Sequence, residues 1–267
     1  MYDLVEPLGL VPYFADESDE ALMALGLRNS WDAYFAGRAA PLGREVPAGV
    51  VHAIFYNFAP GEVARHIPEV WELTTPEAAL AARERGCVAG MRRILGDLAD
   101  DPRITRTADL LLKAATSASV EGRALYAALR TVPVPREPVA RLWHAATLLR
   151  EHRGDGHIVA LVAEGIGGTE AHVLHALSID LPAKDFGRVW HLPATQLEAV
   201  IDGMRERGLI GADGWLTPEG RAAKERVETM TDRLAEAPYT ALSPTELDRL
   251  VTELEPISAA FRAVFPM

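Results

Sequence analysis

The stretch PATQLEAVIDGMRERGLI (193–210), running into GADGWLTPEGRAAKERVETMTDRL (211–234), decides how the chain is read. Apolar residues recur at i, i+3, i+4 spacing over 194–207 and again over 217–235, which predicts two helices. Between them, Gly211-Ala212-Asp213-Gly214 separates two short apolar segments, so Leu209–Thr217 predicts a small hairpin. Thr217 is a good N-cap and Pro218 suits the first helical position. Outward from this block the helical spacing returns over 18–38, 47–57, 76–96, 104–116, 119–130, 138–152, 157–165, 168–177 and 243–263. Pro41-Leu42-Gly43, Pro60-Gly61, Gly154-Asp155-Gly156 and Gly167-Gly168 punctuate the gaps. The expectation is an all-α fold with a minor β-hairpin, divided near Pro133-Val134-Pro135 into 1–132 and 133–267.

The composition agrees with a folded, non-membrane protein. The chain has 267 residues, 49% hydrophobic and 24% charged, enough for two domains or one domain of two repeats. No apolar run approaches the roughly 18 residues of a membrane span, and MYDLVEPLGL has no basic start, so neither a membrane protein nor an exported one is expected. A single cysteine, Cys87, allows no internal disulfide and fits a reducing, cytoplasmic compartment. A net charge of −11 argues against a surface given over to nucleic acid.

The two halves match in order. Trp31 and Trp143 are each followed seven residues later by an arginine, Arg38 and Arg150. AAPLG (39–43) then parallels EHRGDG (151–156), and VVHAIFYNF (50–58) parallels HIVALVAEGI (157–166). Trp71 parallels Trp190, and Arg83-Glu84-Arg85-Gly86 parallels Arg205-Glu206-Arg207-Gly208. An ordered series of this kind predicts an internal duplication.

The segment 193–235 resembles the recognition helix, wing and final helices of a MarR-type winged helix-turn-helix, most closely at Leu216-Thr217-Pro218-Glu219-Gly220-Arg221. PYTALSPTELDRLVTELEPI (238–257) resembles that family's C-terminal dimerisation helix. With GRAAPLG (37–43) and REHRGDGH (150–157), the whole chain resembles an actinobacterial helix-turn-helix family. The resemblance implies tandem winged helix-turn-helix repeats arranged as a single-chain MarR-like pseudo-dimer, hence a monomer, and it implies a DNA reader. The residues themselves disfavour DNA: the charges of 193–208 sum to −1, Asp213 stands at the wing tip, and no wing follows Gly86. Arg83, Arg85, Arg92 and Arg93 are expected to cover the surface of their helix.

The densest polar run is Arg150-Glu151-His152-Arg153-Gly154-Asp155-Gly156-His157, and six of the chain's eight histidines fall between 144 and 191. Arg150 and Arg153 can clamp a carboxylate or phosphate through bidentate hydrogen bonds, and Arg38 is the first-half counterpart of Arg150. Asp155 and His157 can form a catalytic acid–base pair. The bland alternative has Asp155 capping a helix that starts at Gly156 or His157, with the arginines pairing to Glu151. His172 and His175 stand at i, i+3 and, with His152 or His157, offer a nitrogen-rich site for zinc, iron or haem. No HExxH accompanies them and no metal is assigned. His52 faces this group across the pseudo-twofold. Asn57, inside an aromatic run, either orients a ligand or caps a helix beginning near Pro60. The expected function is binding of a small organic, anionic ligand between the halves, as a ligand-responsive regulator. The alternatives are a DNA-binding transcriptional regulator and an enzyme of small-molecule metabolism; the sequence names no cofactor.

Overall fold

A computed structural model describes residues 1–186 and 192–265. Trp190 and His191 lie outside the described residues. The chain is all-helical: α1 (Tyr2–Gly9), α2 (Val11–Phe14), α3 (Asp16–Met23), α4 (Ser30–Ala39), α5 (Ala48–Phe55), α6 (Val70–Leu73), α7 (Pro76–Leu95), α8 (Pro102–Ser117), α9 (Ala124–Leu129), α10 (Pro138–Ala163), α11 (Gly168–Ser178), α12 (Ala194–Glu206), α13 (Pro218–Ala235) and α14 (Pro244–Arg262), with 3-10 turns between.

One local device starts many of these helices. Thr75-Pro76, Asp101-Pro102, Glu137-Pro138, Thr217-Pro218 and Ser243-Pro244 each place a side-chain acceptor on an early helical N–H and a proline where no N–H is needed. Each cap stabilises its helix by about 1 kcal/mol. The termini of α10 and α12 are closed alike by a left-handed glycine. Gly165 and Gly208 lie at φ +66° and +72°, and the next residues, Ile166 and Leu209, return their N–H groups to Leu161 and Met204.

Two cores form. The larger draws on both sides of residue 132, from Val5 to Leu149 and again from Leu242 to Phe265. The smaller runs from Ala160 to Val227. Helix α10 connects them: its 26 residues span about 39 Å, burying Val139–Leu149 in the first core and Ala160 and Leu161 in the second. Helix α14, expected from its resemblance to serve dimerisation, packs within the chain against α1, α7 and α8.

Several expected boundaries move. The helix expected over 18–38 is two, because Gly26 takes φ +87° between α3 and α4. The helices expected at 138–152 and 157–165 are one, with Gly154-Asp155-Gly156 inside it. Each interior glycine costs a helix about 1 kcal/mol, but α13 lies directly on this surface. A Cβ on Gly156 would stand 3.3 Å from Leu234 Cβ and press into the Arg123 guanidinium, so tertiary packing overrides the local preference. The match of AAPLG to EHRGDG therefore fails: the first is a break, with Gly43 at φ +85°, and the second is uninterrupted helix. The hairpin is reduced to a single antiparallel bridge, Ile210–Leu216, closed by Gly211 N–H on the Trp215 carbonyl (2.8 Å). No strand forms among the described residues, since Thr217 already starts α13.

Candidate functional site

Where the two cores meet, α1, α2, α3, α4, α7, α10, α11, α13 and the end of α5 line a partly open cavity of about 910 Å³. Eight of the residues singled out in the sequence line it: Arg38, Asn57, Arg150, Arg153, Asp155, His157, His172 and His175. His52 and His152 do not. His152 is buried edge-on against Tyr126, at 5.0 Å between ring centres, and burial drives its pKa down to about 4.

The polar end of the cavity is a buried ion network built around one carboxylate. Arg38 donates to Glu151 at 3.0 Å and Arg150 donates to it at 2.9 Å. Arg150 also reaches Glu6 of α1 (3.1 Å), and Arg38 reaches the Tyr34 hydroxyl (2.9 Å). Burial alone would raise the Glu151 pKa; Arg38, Arg150 and Arg83 more than offset this and hold it at about 2. Arg150 therefore pairs with Glu151, as the bland reading expected.

Arg153, one turn on, is also occupied. It donates to Glu228 (3.1 Å) and Asp232 (2.9 Å) of α13 and lies 4.0 Å over the Tyr2 ring.

Asp155 and His157 do not form the acid–base pair expected of them. Two positions apart on a helix, they face different neighbours. Asp155 accepts the Tyr126 N–H at 2.9 Å; it caps α9 from across the fold rather than starting a helix at Gly156. Burial first, and then Glu151, push its pKa up to about 6. His157 Nδ1 lies 2.9 Å from the Thr231 hydroxyl, whose own proton goes to the Val227 carbonyl at 2.7 Å. Thr231 must therefore accept, which places the imidazole proton on Nδ1. Burial lowers the His157 pKa to about 4, so the ring is neutral at pH 7.

The histidines of α11 are likewise engaged. His172 Nε2 lies 2.9 Å from the Phe186 carbonyl, and His175 packs on the Phe186 ring. Among the described residues, no group of three or more His, Cys, Asp or Glu is placed to hold a metal ion. Asn57 caps nothing: the turn Val63–Arg65 begins after Glu62, without a side-chain cap.

The residue before Asn57 carries the strain. Tyr56 has φ +58° and ψ −62°, and Asn57 N–H bonds back to the Phe55 carbonyl at 2.7 Å, a three-residue γ-turn. This turn presents the Tyr56 hydroxyl to the Ile166 carbonyl (2.5 Å). A Cβ on Gly168 would stand 2.1 Å from the Tyr56 carbonyl oxygen, so only glycine fits there. The end of α5 is thus clamped to the start of α11.

One wall residue went unread in the sequence. Arg83, expected on the surface with Arg85, Arg92 and Arg93, is 4% exposed, while the other three are exposed. Helix α4 makes room for it: a Cβ on Gly37 would lie 3.3 Å from Arg83 Cδ. Its guanidinium stacks 5.5 Å above the Trp143 ring.

The architecture defines an all-helical protein with a cavity, polar at one end, between two cores, and no helix among the described residues is long and apolar enough to cross a membrane. A helix-turn-helix family model matches residues 1–266, and the chain belongs to that helix-turn-helix family. No curated protein and no solved structure matches it.

Proposed function

We propose that the chain is a DNA-binding transcriptional regulator whose DNA affinity responds to a small organic ligand in the cavity. In this reading α11 and α12 are the helix-turn-helix, 209–217 is a shortened wing, and 133–267 is a MarR-like winged-helix repeat. Residues 1–132 are its degenerate partner, the two repeats standing in for a dimer within one cytoplasmic, monomeric chain.

The observation that carries the proposal, alongside family membership, is the packing of α11, α12 and α13 with the end of α10 around a core distinct from the larger one. It leaves Thr195, Gln196, Glu198, Asp202 and Arg205 exposed on α12. The cavity supports the ligand half of the reading because Ala171, His172, Leu174 and His175 of α11 line it. A molecule seated there touches α11, which packs directly on α12.

The acidic α12 sets the expected character of binding. Arg205 is paired with Asp202 and Arg207 with Glu170, so few phosphates are neutralised. Fluorescence anisotropy with fragments of the source genome should give saturable binding at low salt, with log affinity falling against log salt at a slope of about −2. No saturable binding at low salt, or a slope as steep as about −6, would sink this assignment of the interface.

A further inference from the structure

The cavity contains a guanidinium with no acceptor. Arg83 is 96% buried by its 4% exposure, yet it makes no hydrogen bond or ion pair to any described residue. The Trp143 ring takes one face of the guanidinium and none of its N–H groups. The other two arginines at this end are satisfied differently. Arg150 has Glu6 and Glu151. Arg38 has Glu151 and Tyr34, but its Nε is buried without an acceptor. Three guanidiniums thus share two carboxylates, and the donors left without an acceptor are those of Arg83. Glu151 offsets part of that charge through space, and the N–H groups of Arg83 face the cavity, where an anion can accept from them.

The rest of the wall limits what that can be. Asp155, Asp16, Asp19 and Glu228 also line the cavity. Glu228 is held by Lys224 and Arg153, Asp19 accepts from Ser30, and Asp155 accepts from Tyr126. These acids disfavour a polyanion such as a nucleotide triphosphate. Trp31, Tyr34 and Phe55 supply a wall of aromatic faces beside Arg38, whose guanidinium lies 4.5 Å over the Phe55 ring.

We infer that Arg83, with the free Nε of Arg38, forms an anion-binding site, and that the ligand is a monoanionic carboxylate on a flat apolar body. The carboxylate takes the fork of Arg83, a geometry lysine cannot reproduce, and the apolar body lies against the aromatic wall. This inference rests on the ligand half of the proposed function and fixes the class of molecule it takes.

Three probes that share one ring system and differ in charge test it by calorimetric titration of the full chain at pH 7.5: 2-naphthamide, 2-naphthoate and 2,6-naphthalenedicarboxylate. The expected result is saturable binding of 2-naphthoate, about tenfold tighter than the amide and no weaker than the dicarboxylate. Arg83→Gln should weaken 2-naphthoate about tenfold and leave the amide unchanged, and Arg83→Lys should fall between. Equal binding of acid and amide to the wild-type chain, binding of neither, or a 2-naphthoate affinity unchanged by Arg83→Gln would each overturn the site. The wild-type comparison decides even where a variant does not fold. DNA affinity plays no part in these titrations: failure of the DNA experiment leaves the site standing, and failure here leaves the DNA assignment standing.

Discussion

The same tetrapeptide occurs twice with opposite consequences. Arg83-Glu84-Arg85-Gly86 lies mid-way along α7, while Arg205-Glu206-Arg207-Gly208 ends α12. In the first, Gly86 is needed for space: a Cβ there would stand 2.4 Å from the Glu17 carbonyl oxygen and 2.7 Å from Ser18 Cα, because α3 rests directly on α7. In the second, Gly208 is needed for conformation, at φ +72° with nothing close to its missing Cβ. The leading arginines differ as sharply. Arg83 is buried and acts on Glu151 through space, whereas Arg205 is exposed and bonded to Asp202 on its own helix at 2.7 Å. Local sequence sets the helical tendency of both segments; the neighbours decide which surface each presents.

The largest expected difference concerns the acidic partners. Glu151→Ala removes the carboxylate shared by Arg38 and Arg150 and leaves buried positive charge uncompensated, a loss of about 3–5 kcal/mol in chemical unfolding. Asp202→Ala breaks an exposed pair at the corresponding place in the second segment and should cost less than about 0.5 kcal/mol. Equal losses would mean that the buried network contributes no more than a surface pair, and the contrast between the segments would collapse.

The glycines offer the next test. Gly86→Ala forces α3 away from α7 and should destabilise by about 3 kcal/mol, and Gly208→Ala should cost about 1 kcal/mol for its left-handed backbone. A stable Gly86→Ala variant would show that α3 can withdraw without loss.

These contrasts also explain what could be read in advance. The start of α13 was legible at Thr217-Pro218, because cap and helix are local. The gathering of Arg38, Arg150, Arg153, Asp155 and His157 around one space was legible because four of them lie within eight consecutive residues. Apart from Glu151, their partners were not. Asp155 serves the Tyr126 N–H and Arg153 serves Glu228 and Asp232, and no spacing rule connects groups so distant in the chain. Gly154 and Gly156 read as a break because glycine weakens an isolated helix, while the α13 surface packed on Gly156 lies far along the sequence. Arg83 was hidden for the same reason: flanked by Glu84 and Arg85, it has a surface residue's context, and its burial comes from α4 and Trp143.

The most direct test of the account separates the two arginines in one assay. DNA anisotropy is followed with increasing 2-naphthoate for the wild type, Arg83→Gln and Arg205→Gln, with naphthoate binding measured in parallel. The account predicts that the wild type changes its DNA affinity as naphthoate binds. It predicts that Arg83→Gln binds DNA normally but no longer responds, and that Arg205→Gln loses DNA affinity while binding naphthoate as the wild type does. Arg83→Gln responding like the wild type, or both variants losing both activities together, would contradict it.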